Sequence, residues 1–454
     1  MNDLLHDAAT RASRYLDELP ARSVAPAPAA IDRLRSLDQP LPEHPQAADA
    51  VLRRLDEVGS PATAAMAGGR YFGFVIGGAL PVTIASNWLT TAWDQNAASH
   101  GPTPGVAAFE QVALRWLLDI LDLPRDAAGA FVTGATQANL CGLAAARNEV
   151  LKRAGWDVES DGLFGAPPIS VVVSAETHPT LFKSLGVLGL GRSRVIKVGT
   201  DAQGRMRPDL LPEINGPTIL CLQAGNVNTG AFDPFAELSE RAQARGAWVH
   251  VDGAFGLWAL AAPSLRHWCN GIAMADSWAT DAHKWLNVPY DSGLAFVRQG
   301  DALRAAMSVT AAYLPASASA RSPSDFTPEL SRRARGVDIW AALASLGRSG
   351  VAQMIERCCR HARRFAQGLE AGGCSILNDV VLNQVLVSFG DPATTRRVIA
   401  DLQTDGTCWC GVTEWQGHTA MRISVSSWAT SDDDVEESLA AMLKVAARDG
   451  ARAG

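Results

Sequence analysis

DAHKWLNVPYDSG, residues Asp281–Gly293, sets a single lysine between a histidine and a tryptophan and then runs on into apolar sequence. Lysine is seldom buried without a partner. Burial of an amine favours the neutral form, which can attack a carbonyl. The plainer alternative is that Lys284 caps a core strand while its head reaches water, as a long aliphatic stem allows. The rest of the chain bears on the choice. WVHVDGAFGLWA, Trp248–Ala259, ends an apolar strand on Asp252, and SVVVSAETHP, Ser170–Pro179, ends another just before His178. AFVTGATQANL, Ala130–Leu140, passes from a strand into a helix start that holds Ala135 and Thr136. With SRVIKV and TILCLQA between them, short β-rich runs alternate with helical ones. That alternation predicts βαβ units and an α/β fold with a mostly parallel sheet. Open sheets of this kind place ligand chemistry at the carboxyl ends of their strands.

At 454 residues the chain exceeds the size at which one core usually stops growing, so a second domain or an appendage is expected. The first segment reads as helices joined by the proline- and alanine-rich SVAPAPAAIDRL, and VAAFEQVALRWLLDILDLP has the spacing of an amphipathic helix. The pattern changes near Ala341, where a helix through RCCRHARRFAQGLEAG leads to LNQVLVSF, WCGVTEW, MRISVSSW and a last helix, DDDVEESLAAMLKVAAR. The expected organisation is a helical segment over 1–95, a large domain over 96–340 and a small α+β domain over 341–454. Residues Ser317–Asp325, SASARSPSD, are small and polar enough to form a mobile loop.

Composition narrows the function classes. A net charge of −7 without a long Lys/Arg run argues against a nucleic-acid partner. Apolar runs such as FVIGGALPVTIAS are interrupted well short of a membrane span, and the amphipathic start MNDLLHDAATRASRYL does not read as a signal peptide. The eight cysteines form no CxxC pair and no metal-ligand spacing, so no metal is expected and reduced thiols in the cytoplasm are.

Taken singly, the motifs have ordinary readings. GATQANL could be a capped helix, Asp252 a cap for the turn GAFG, and His178 a satisfied surface or core residue. Taken together they offer a phosphate cradle, a flat neighbour, a buried carboxylate and an amine, a set that suits pyridoxal 5′-phosphate. Here the chain resembles the pyridoxal-phosphate-dependent group II decarboxylases, the family of aromatic-L-amino-acid decarboxylase. HVDGAFG and DSWATDAHKWLNVPYDSG carry the resemblance most specifically, and it extends from RYFGFVIGG to RISVSSWAT. It implies a fold-type I enzyme: a large αβα domain with a seven-stranded sheet, a small C-terminal domain, and a homodimer that shares its active site. By position, Lys284 would be the Schiff-base lysine and His283 a phosphate contact. Asp252 would pair with the pyridine nitrogen, His178 would stack on one ring face, and Ala254 would pack on the other. Ala135 and Thr136 would meet the phosphate. The implied reaction is decarboxylation of an L-α-amino acid, aromatic side chains among the candidates, with Phe72, Phe74 and Val75 as pocket walls.

Several positions depart from the family pattern. Gly68-Gly69 stands where relatives often have His-Pro, and Asp281 where many have asparagine near the phosphate. Asn226 and Asn228 replace a threonine run and could neighbour the ring oxygen. Tyr313 matches a non-catalytic position. Phe326 matches the mobile-loop tyrosine that supplies a proton after carbon dioxide leaves, and phenylalanine has no proton to give. The alternatives are therefore an oxidative, decarboxylating deamination that yields an aldehyde, or a lyase or aminotransferase cutting another bond. Arg422 could bind a substrate carboxylate, as in aminotransferases, but a structural ion pair is the preferred reading.

Overall fold

The computed structural model describes residues 1–309 and 321–452. Two compact units make up the chain: one of residues 77–360 and 378–384, the other of residues 1–76, 361–377 and those from Val385 onward.

The larger unit is built on seven strands: β1 (Ala128–Val132), β2 (Ser170–Ser174), β3 (Ile196–Val198), β4 (Thr218–Gln223), β5 (Trp248–Asp252), β6 (Ser277–Asp281) and β7 (Gly293–Val297). Their order is β1-β7-β6-β5-β4-β2-β3. β7 runs antiparallel to β1 and β6, whereas the pairs from β6 through to β3 are parallel. The expected α/β fold with a mostly parallel sheet is therefore present. β4 to β7 are buried along their whole length; β4 and β7 accordingly read as near-continuous apolar runs, whereas β5 and β6 also bury His250, Asp252, Ser277, Thr280 and Asp281. The helix Ala135–Arg153 is buried at Ala138, Cys141, Gly142, Leu143, Ala144, Ala145 and Ala146, most of the way round its axis. Small side chains let it lie close against the sheet.

The helix Pro104–Ile120 has proline in its first turn and buries Val106, Ala107, Glu110, Ala113, Leu114 and Leu117, one stripe at helical spacing. Glu110 lies inside that stripe because arginines meet it there. Arg332 Nη1 donates to Glu110 Oε2 at 2.8 Å and to Ala97 O at 2.8 Å, while Nη2 donates to Phe131 O at 2.7 Å. Arg321 approaches the other Glu110 oxygen at 3.4 Å. Removing one member of a buried pair strands the other's charge. Arg332→Met is expected to lower the unfolding free energy by about 3 kcal/mol or more, measured by urea denaturation.

The second unit carries β8 (Ser375–Ile376), β9 (Gln384–Ser388), β10 (Gly411–Trp415) and β11 (His418–Ser424) in the order β10-β11-β9-β8. Gln416 and Gly417, both at positive φ, close the antiparallel β10–β11 hairpin as a two-residue turn. The helices Pro392–Asp405 and Asp432–Arg452 complete the α+β part. The dividing points differ from the expected 95/96 and 340/341. The helix Pro81–Trp93 belongs to the large unit, because Asp338 accepts from Ser86 Oγ at 2.6 Å and Asn87 Nδ2 at 2.9 Å. The N-terminal residues group with the C-terminal ones instead. Val24 N donates to Gly406 O and Phe72 N to Trp409 O, both at 2.8 Å, and the Tyr71 and Trp409 rings stack 5.0 Å apart.

Candidate active site

Six of the seven strands in the large unit run the same way, so their carboxyl ends share one edge. Asp252 ends β5 and Asp281 ends β6, with Lys284 one helical turn further on. The helix Ala135–Arg153 starts just beyond β1, and His178 caps the helix Pro179–Val187 after β2. Ala254 ties the two acidic strand ends together. Its N–H donates to Asp252 Oδ1 at 3.2 Å, and its carbonyl accepts from Asp281 N at 2.9 Å.

Lys284 does not float in water. Its Nζ lies 2.9 Å from Asp281 Oδ2, and its side chain is 23% exposed. Its carbonyl packs so closely on Gly77 that a Cβ there would stand 1.7 Å from the oxygen, so only glycine fits beneath this turn. Asp281 Oδ1 accepts from Ala135 N at the helix start and lies 3.6 Å from His283 Nε2. His283 Nδ1 accepts from Ser292 N at 3.1 Å, which leaves the ring hydrogen on Nε2, facing Asp281. Burial holds the His283 imidazole below its ordinary pKa.

Asp252 is 6% exposed, and burial pushes its carboxyl above the ordinary range; the electrostatic influence of the neighbouring His178 and Lys284 pulls it back part of the way. Its Oδ2 accepts from Asn139 Nδ2 at 3.1 Å. His178 Nδ1 meets Thr180 Oγ1 at 2.7 Å and accepts from Thr180 N. Thr136 lies in the first turn of its helix, and its carbonyl accepts from Ser184 Oγ at 2.8 Å. Lys284, His283, Asp252, Ala254, His178, Ala135 and Thr136 thus fall on one edge of one sheet.

The other expected positions have the following surroundings. Phe72, Phe74 and Val75 belong to the second unit. Phe72 is 1% exposed with its ring edge-on to Phe365, a core position, whereas Phe74 stacks on Trp409 and is 60% exposed. Phe326 ends the short helix Pro323–Phe326, packs at the rim of the large core and lies 4.3 Å beneath the Arg321 guanidinium. Tyr313 lies outside the described residues. Asn226 Oδ1 accepts from Asn228 N at 2.8 Å and Thr229 N at 3.2 Å, shaping the turn after β4; its buried Nδ2 finds no partner among the described residues. Arg422 lies on β11 opposite Gly411, and burial pushes its guanidinium down to about 10.

Sequence reasoning missed Tyr290, whose ring stacks on His283 with centroids 4.2 Å apart and whose phenol burial pushes up to about 12. It missed Asn139 as well, although GATQANL placed that residue one turn into the same helix. The arrangement combines a helix start for an anion, a buried acid for a cation and an amine for a carbonyl. Among the described residues no cluster of His, Cys, Asp and Glu could hold a metal ion, and no helix is long and apolar enough to cross a membrane.

A family model described as the pyridoxal-dependent decarboxylase conserved domain matches residues 31–389. The chain is 26% identical over 342 residues to tryptophan decarboxylase 1 of Oryza sativa subsp. japonica, covering 70% of this chain and 66% of that protein. It is 26% identical over 346 residues to a phenylacetaldehyde synthase of Arabidopsis thaliana, covering 72% and 69%. The matched part thus spans about two thirds of each relative. The crystal structure of Oryza sativa TDC with PLP and tryptamine superposes with a TM-score of 0.90 at 22% identity, covering 98% of this chain and 97% of that one, a likeness of fold.

Proposed function

Because the chain belongs to the pyridoxal-dependent decarboxylase family, we propose that it releases the α-carboxylate of an L-amino acid as carbon dioxide, with Lys284 holding pyridoxal 5′-phosphate. The grouping of Lys284, Asp252 and His178 on one strand edge carries this reading. The residues fit the cofactor. Asp252 is a buried acid whose hydrogen-bond donors, Asn139 and the Ala254 N–H, are both neutral, so a bound pyridinium suits it. The helix start at Ala135 and Thr136 suits a phosphate. When bound, the cofactor supplies an electron sink for the bond being broken. The chain's own residues do the rest: Lys284 offers its amine, Asp252 keeps a proton on the pyridine nitrogen, and His178 shields one side of the ring.

Asp281 is the exception, since its carboxylate already takes the Ala135 N–H and the Lys284 ammonium. A phosphate arriving at that helix start meets a like charge. Asp281→Asn is expected to tighten binding of inorganic phosphate and of pyridoxal phosphate by about tenfold, read by equilibrium titration. Unchanged or weaker binding would show that the anion does not sit at this helix start.

A second reading, oxidative decarboxylation to aldehyde, ammonia and peroxide, draws support from the similarity to the phenylacetaldehyde synthase. One experiment separates the two: a panel of L-amino acids incubated with and without oxygen, followed by mass analysis. Carbon dioxide with retained amine supports the decarboxylase; carbon dioxide with aldehyde and peroxide, only in oxygen, supports the second reading. No carbon dioxide from any amino acid removes both. A second copy of the chain is the proposed partner, supported by Val82, Trp88, Leu89 and Trp93, exposed on one helix. A reducing cytoplasm is the proposed location, supported by eight cysteines that form no disulfide.

A further inference from the structure

Behind Asp252 the large unit buries a line of polar side chains that the proposed reaction does not use. Asn139 gives its Nδ2 hydrogen to Asp252 Oδ2 at 3.1 Å, and its Oδ1 lies 2.8 Å from His250 Nε2. His250 Nδ1 lies 2.8 Å from Ser277 Oγ, and that oxygen accepts from Trp248 Nε1 at 2.9 Å. Trp248, Asn139, His250 and Ser277 are all fully buried. Burial pushes the His250 imidazole down to about 3, so the ring is neutral and carries one hydrogen.

The direction of every bond then follows. Indole can only donate, so the Ser277 hydroxyl hydrogen is left to point at His250 Nδ1. The imidazole hydrogen therefore sits on Nε2 and goes to Asn139 Oδ1. That turns the amide so that its NH₂ faces Asp252, the one orientation in which it stabilises a carboxylate. Space is arranged for this line as well. A Cβ at Gly142, one turn beyond Asn139, would stand 2.8 Å from both Cε1 and Nδ1 of His250 and 3.3 Å from Ser277 Oγ. Only a glycine lets the helix lie on the imidazole.

We infer that Asn139, His250 and Ser277 are positioning residues that keep Asp252 ionised and aimed at a single bound cation. The role of that cation as the pyridine nitrogen rests on the proposed function. Desolvation favours the neutral acid at position 252, and a fixed amide donor opposes it. With His250 gone, the Asn139 amide can turn its oxygen toward Asp252, which favours the neutral acid instead.

The test titrates pyridoxal 5′-phosphate into wild-type protein and into Ser277→Ala, His250→Phe, His250→Gln and Asn139→Leu, following the absorbance of the bound cofactor. His250→Phe is expected to weaken binding by about tenfold, the scale of one hydrogen bond to a charged group. His250→Gln should recover most of that loss, because its amide N–H reaches Asn139 from nearly the same point. Ser277→Ala removes only a hydroxyl, folds readily and should give a smaller loss in the same direction. Equal losses in His250→Phe and His250→Gln would overturn the inference, because packing alone then explains them.

A parallel measurement needs no cofactor. Urea denaturation of His250→Phe, Asp252→Asn and the double variant should be non-additive, although the two side chains do not touch. Additive unfolding overturns the inference whatever the cofactor does. Non-additive unfolding in a chain that binds no cofactor sustains the relay and removes the proposed function.

Discussion

Lys284→Ala is expected to bind pyridoxal phosphate without covalent attachment and to release carbon dioxide slower by about four orders of magnitude or more. The chain has five lysines, and the other four, Lys152, Lys183, Lys197 and Lys444, are exposed, so no second amine is buried that could take over. Asp281 holds the Lys284 Nζ at 2.9 Å, and the carbonyl of the same residue rests on Gly77, so side chain and backbone are both fixed. Truncation removes the nucleophile and leaves this frame standing. Borohydride reduction followed by peptide mapping checks the claim: label should appear on the peptide holding residue 284 in wild type and be lost in the variant. Label retained elsewhere in Lys284→Ala would end the proposed function. Lys284→Arg keeps the charge opposite Asp281 and should be as inactive as alanine, which separates loss of the amine from loss of the ion pair.

The second large effect is expected at Asp252. Asp252→Asn preserves shape and removes charge. A close ion pair is worth about 4 kcal/mol at an intermediate effective dielectric, so turnover should fall by about three orders of magnitude if that pair is lost in the rate-limiting transition state. Asp252→Glu, which restores the charge at a displaced position, should recover part of it. Single-turnover release of carbon dioxide is the measurement, made at saturating cofactor so that weak loading does not imitate slow chemistry. Turnover within tenfold of wild type would mean that the acid at the end of β5 serves the fold alone.

Much of this site was legible in the chain because the relevant strands end in chemistry. WVHVD and SWATD are buried along their length, so an aspartate at each end has to meet a cation, a donor or a helix start. The alternation of strand and helix gave the class of sheet, and that class placed Asp252, His178 and Lys284 on one edge. What was not legible depended on side chains that meet only after folding. Asn139 and His250 are 111 residues apart, and no periodicity announces that an amide and an imidazole will share a hydrogen. One clue was available, because alternate residues of a strand share a face, so VHVD puts His250 beside Asp252. Of the stretch Ser317–Asp325, read as a loop, residues 317–320 lie outside the described ones; Arg321 and Arg332 reach Glu110, and the Arg321 guanidinium lies over the Phe326 ring, contacts that no local pattern announces. The unit boundaries were hidden for the same reason, since the N-terminal residues take backbone partners more than three hundred positions away.

The carboxylate at 281 also bears on handling. A chain that carries its own counter-ion, set across a helix start and an ammonium, needs no added vitamin to quiet those charges during purification. Protein stripped of its prosthetic group should therefore stay in solution, keep its shape through storage and accept a fresh load on demand.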